Sequence, residues 1–113
     1  MDEYQIIFAR SDRGREYVTE FINTLDQDPF GHTTHLIELL AQHGHGVSPK
    51  YIKRIHHKIY ELRVLGKVQV RILLAFNNNE IILLHAFKKK SSRIPPKEIT
   101  TAISRLNKLH LTV

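Results

Sequence analysis

Apolar residues in this chain alternate with polar ones over some stretches and recur every three or four positions over others, and the two patterns divide it into seven predicted elements. Tyr4–Ala9 (YQIIFA) is β-branched and aromatic and ends in charge, the pattern of a first strand. Tyr17, Val18, Phe21, Ile22 and Leu25 then recur at helical spacing, with Ser11 or Asp12 placed to cap the start. The stretch 26–32 (DQDPFGH) reads as a loop by its Pro and Gly, and a second helical stripe of Leu36, Ile37, Leu39 and Leu40 is ended by Gly44 and Gly46. Residues 44–58 carry little periodicity and much positive charge, so they read as a loop with at most a short helical turn at Tyr51–Ile55. Three strand patterns follow, YELRVL (60–65), VQVRILLAF (68–76) and EIILLHAFK (80–88), separated by breaks at Leu65–Lys67 and Asn77–Asn79. Pro95 and Pro96 open a last helix whose Ile99, Ala102, Ile103, Leu106 and Leu109 share one face. The expected fold is α+β, a single domain over residues 1–113 in the order β-α-α-β-β-β-α, with an antiparallel sheet packed by helices.

Composition narrows the functional classes. At 113 residues, with 42% apolar and 25% charged positions, the chain has enough apolar side chains for one core and is neither disordered nor fibrous. It has no cysteine, which excludes disulfides and thiolate metal sites. No leader-like run and no span of about 20 apolar residues occurs, so a soluble cytoplasmic protein that does not enter a membrane is expected. Net charge is +6 and the basic residues crowd the second half, which points to a polyanionic partner read by the later elements.

The candidate chemistry lies on the three later strands. Alternation puts Arg63 on one face of its strand and Arg71 on one face of the next. If both connections hold an odd number of residues, Arg63, Arg71 and His85 become cross-strand neighbours, with Phe87 and Lys89 extending the same face; an even connection turns one strand's set away. An unpaired arginine in an apolar core is costly, which favours a wet face for both. Such a group suits attack on RNA without a metal or other cofactor. Arg63 and Arg71 would hold the phosphate as it gains charge, His85 would move a proton, and Lys89 would stabilise the leaving oxygen. Lys53, Lys58, Lys88, Lys90 and Arg93 would add RNA-backbone affinity. The plainer reading of the arginines is pairing with Glu61 or Glu80, that of His85 and Phe87 is a place in the core, and that of Lys88–Lys90 is a charged edge that blocks strand addition. His32, His35, His43 and His45 have tempting spacings, but four imidazoles without cysteine or a carboxylate pair make an unusual metal set, and no metal is expected.

The segments YELRVL, VQVRILLAF and IILLHAFKKKSSRIPPKEITTAISR resemble the RelE/HigB toxin superfamily, specifically its phage-related, HigB-like branch, over about residues 58–106. The resemblance implies a RelE-like fold with Arg63, Arg71 and Lys88–Lys90 on its RNA-facing surface. It implies a ribosome-dependent endoribonuclease that cuts mRNA and is silenced by a helix-turn-helix antitoxin. This sequence departs from the pattern where Val70 replaces an aromatic before the second arginine, and no tyrosine follows Tyr60 to match a carboxyl-terminal catalytic tyrosine, so His85 or His110 would have to compensate. Two other readings remain: a toxin of the same fold that inhibits gyrase by protein binding, as ParE relatives do, and a nonenzymatic nucleic-acid binder.

Overall fold

The computed structural model describes residues 4–109. Along the chain come β1 (Gln5–Phe8), α1 (Tyr17–Ile22), α2 (Gln27–His43), a single 3-10 turn at Gly44–Gly46, β2 (Ile52–His56), β3 (Ile59–Val64), β4 (Val70–Asn77), β5 (Glu80–Lys88) and α3 (Pro96–Asn107). The strands form one sheet in the order β1-β5-β4-β3-β2. The α+β class is as expected, with two corrections. A fourth strand of the meander, β2, occupies the segment expected to be a loop with a helical turn, and the sheet is mixed, because β1 runs parallel to β5 while the other pairs are antiparallel.

Two cores sandwich the sheet. On one face Leu62, Val64, Val70, Ile72, Leu74, Ile81 and Leu83 meet Val18 and Ile22 of α1 and Leu36 and Leu40 of α2. On the other, Ile59, Leu73, Ala75, Ile82 and Leu84 meet Ala102 and Leu106 of α3. With helices on both sides, β4 is buried continuously from Val70 to Ala75, which is why it reads as an unbroken apolar run. Among the described residues no helix is long and apolar enough to cross a membrane.

The helix boundaries moved for local reasons. Helix α2 begins at Gln27, so DQDPFGH is not a loop but the two opening turns. Pro29 sits in the first turn, where its missing N–H has no intrahelical partner to lose, and Gly31 is exposed. Helix α1 starts at Tyr17 and ends at Ile22, short of Leu25; Ser11 caps no helix, and its Oγ instead accepts the backbone N–H groups of Arg13 and Arg15 within the β1–α1 loop. Gly44 ends α2 at φ +51, and a Cβ there would run into the Tyr4 ring, so only glycine serves both demands.

Candidate nucleic-acid interface

The β3–β4 hairpin places Arg63 directly opposite Arg71. Two cations facing each other across strands repel. Glu61, two residues before Arg63 and therefore on the same face, compensates: its Oε1 accepts from Arg63 Nε at 2.9 Å and its Oε2 lies 3.3 Å from Arg71 Nε. The second contact is an ion pair without hydrogen-bond geometry, leaving Glu61 Oε2 and Arg71 Nε as buried polar atoms with no hydrogen-bond partner. Arg71 spends its other donors nearby, Nη1 on Val70 O at 3.0 Å and both Nη atoms on Gln69 Oε1 at 3.2 Å. Burial pushes the Arg71 pKa down, Glu61 raises it, and Arg63 lowers it further; an arginine so placed still carries its charge near neutral pH. Arg71 is only 5% exposed, whereas the Arg63 side chain keeps 31% of its surface open. Of the two neighbours, one is therefore buried and the other partly open.

The second connection is even, not odd. Asn77 pairs with Glu80 around a two-residue turn in which Asn78 takes φ +55, the left-handed conformation asparagine tolerates. Left alone, that turn would set Ala86 opposite Arg71. A β-bulge between Leu73 and Leu74 of β4 absorbs Leu84 as an extra residue of β5, so that Leu73 pairs with His85 and Arg71 with Phe87. His85 thus faces the same side as Arg63 and Arg71 but is not Arg71's direct neighbour. Arg105 of α3 donates from Nη1 to the carbonyl of Leu84, the residue that the bulge leaves out of the ladder, at 3.0 Å.

The same Nη1 lies 3.1 Å from His85 Nδ1, and His85 Nε2 lies 3.0 Å from Glu98 Oε1. A guanidinium only donates, so Nδ1 accepts and the ring proton sits on Nε2, facing the carboxylate. Both ring nitrogens are occupied by α3, and the ring stacks against Phe87 at 5.5 Å. Arg105 also lies 3.5 Å over the Tyr17 ring.

A family model described as Phage derived protein Gp49-like (DUF891) matches residues 20–107. The chain belongs to this family. Gp49-like proteins are RelE/HigB-like, toxin-type proteins. No curated protein sequence matches the chain.

In this Gp49-like protein the remaining predicted positions fall into two groups. Lys53 of β2 pairs with Glu61 and so lies on the arginine face, one strand further out. Lys88 ends β5 opposite Val70, and the N–H of Lys89 donates to Gln69 O at 2.8 Å, which ties the lysine run to the residue that holds Arg71. Lys90 and Arg93 are exposed in the segment leading to α3. Lys58 stands apart, in the β2–β3 turn at the other end of β3, where it lines a separate cleft with His57, Tyr60 and Phe76. His110 lies outside the described residues. His32 and His35 are exposed on α2 and His45 stacks on Phe76 at 3.7 Å; among the described residues no three His, Cys, Asp or Glu side chains group as metal ligands.

Sequence reasoning named Glu61 only as a partner that would make the arginines ordinary, and it missed Gln69, Glu98 and Arg105. Glu98 and Arg105 are seven apart, two turns along one side of α3, a spacing that gains meaning only once α3 is known to lie over His85.

Proposed function

We propose that this Gp49-like protein is the toxin of a toxin–antitoxin pair, of the HigB-like branch, and acts in the cytoplasm as a metal-independent endoribonuclease on mRNA being translated at the ribosome. The observation that carries the reading is the cross-strand Arg63–Arg71 pair braced by Glu61. A buried ion-paired cluster is an expensive way to finish a sheet that apolar residues would finish as well. A phosphodiester gaining charge in its transition state is a substrate such a cluster fits.

In this reading Arg63 offers its open Nη groups to the scissile phosphate, and Arg71 and Glu61 fix its direction. Attack by the 2′-oxygen on phosphorus requires its proton to leave as the bond to the 5′-oxygen breaks, and that oxygen must then take up a proton. Lys89, with Lys88 and Lys90 beside it in the chain, would stabilise the leaving oxygen. His85 reaches the reaction through position, since its nitrogens are committed to Glu98 and Arg105; carrying a proton would require releasing one of them. Lys53 and Arg93 add backbone contacts, Lys58 adds them only to RNA long enough to reach the far end of β3, and a helix-turn-helix antitoxin silences the protein.

Cell-free translation of a reporter mRNA, with fragment ends mapped by primer extension, tests this. New ends inside translated frames that vanish when translation is blocked are expected. Intact mRNA with translation or growth still arrested would overturn the ribonuclease and make gyrase inhibition the next assay.

A further inference from the structure

The β1–α1 loop and the carboxyl-terminal end of α3 enclose a cleft of about 560 Å³ that the arginine site does not use. Arg10, Arg13, Arg15, Arg105 and Lys108 line it, drawn from segments far apart in sequence, and they outnumber the two carboxylates of the lining, Asp12 and Glu20. Three features make it more than a solvated basic patch. First, Arg105 is partly buried and burial pushes its pKa down, yet its contacts are a carbonyl, an imidazole and a tyrosine ring; among the described residues no carboxylate pairs with it. Second, Arg10 and Arg15 are held by Glu16 and Glu20 in exposed pairs, which are weak and readily exchanged for a phosphate, while no ion pair is formed by Arg13 or Lys108 among the described residues. Third, concave walls focus the potential of clustered cations beyond what a flat surface achieves.

The cleft is also joined to the candidate active face by a chain of side-chain contacts. Arg105 lines it and touches His85, His85 stacks on Phe87, and Phe87 pairs with Arg71. From β3 to β5 the sheet spans only about 10 Å, two strand spacings. We infer that this cleft holds backbone phosphate of the same RNA strand whose scissile phosphate Arg63 receives, so that the substrate is gripped at two places along one face. The inference rests on the ribonuclease reading for its ligand, and it assigns a binding role to Arg13 and Lys108 that catalysis does not require.

The test is binding of a fluorescein-labelled single-stranded RNA made of 2′-O-methyl nucleotides, which has no 2′-hydroxyl to attack, measured by anisotropy across a salt series. The full chain is compared with Arg13→Ala/Lys108→Ala, two exposed substitutions whose Tm should match wild type. The variant is expected to bind about 10-fold more weakly at 0.15 M salt, and its slope of log affinity against log salt should shrink by about 1.4, the loss of two phosphate contacts to single strands. Equal affinity and slope in the two proteins would overturn the cleft's role while leaving cleavage by the arginine site intact. If inorganic phosphate raises the Tm of wild type but not of the variant while RNA affinity is equal, the cleft takes a free anion and the inference also fails. If wild type does not bind the RNA at all, the inference falls together with the ribonuclease reading.

Discussion

The two faces of the sheet follow different rules. Toward α1 and α2, β3 and β4 are apolar from end to end, through Leu62 and Val64 on one strand and Val70, Ile72 and Leu74 on the other. Toward α3, the same strands begin apolar at Ile59, Leu73 and Ala75 and then change to Glu61, Arg63 and Arg71, with His85 beside them on β5. The first face is filled for stability. The second buries charge at one end, an arrangement whose desolvation cost stability alone does not justify.

That contrast can be broken from either side. Glu61→Leu leaves the Arg71 cation buried without its counter-charge and should cost about 3–5 kcal/mol of unfolding free energy in urea. Ile72→Ala, on the other face, should cost about 2–5 kcal/mol through a cavity, yet the folded fraction should keep the cleavage rate of wild type. Equal loss of cleavage per folded molecule in that variant would remove the functional distinction between the faces. Replacing both buried charges, Glu61→Leu with Arg71→Met, should return stability to within about 1 kcal/mol of wild type or above it, while cleavage stays impaired. A double variant that remains several kcal/mol unstable would mean that the cluster is structural.

The smallest effect concerns the exposed Arg15–Glu20 pair. The hydrogen bond from Arg15 holds the Glu20 carboxyl below its usual value of 4.5, offset in part by burial. A depressed acid contributes stability above its unfolded pKa and loses it as pH falls through the folded one. The Tm gap between wild type and Glu20→Gln should therefore be small at pH 7 and close as the pH falls below 4.5 and through the lowered folded value. A gap that widens in acid would contradict the pairing.

How much of this was legible in the sequence follows from where its periodicities hold. Strands β3, β4 and β5 could be placed because each is a run rich in apolar and β-branched residues bounded by turn signals, and helix α3 because its apolar residues keep one helical period. β2 could not: its apolar residues Ile52 and Ile55 are three apart and pack into different cores, a register shift interrupts it between Arg54 and His56, and as an edge strand it keeps Lys53, Arg54 and His56 exposed. The opening of α2 was hidden because Pro29 and Gly31 signal a break except in a first turn or on an exposed side. Among site residues, Arg63 opposite Arg71 needs only an odd β3–β4 connection. The position of His85 depends on two irregularities that offset each other, an even turn at Asn78–Asn79 and the bulge at Leu84, neither of which alternation reveals. Glu98 and Arg105 reach His85 through tertiary packing, which carries no local signature.

The most direct test of the central claim, that the charged end of the α3 face holds the scissile phosphate, is the rate of mRNA cleavage in a translating extract by wild type and by Arg63→Ala, each checked for the same Tm. Arg63 keeps about a third of its side-chain surface open, so its removal should leave the fold intact. The rate should fall by about 100-fold or more, the loss of a charge stabiliser in the transition state. A folded Arg63→Ala protein that cuts at the wild-type rate would contradict the account.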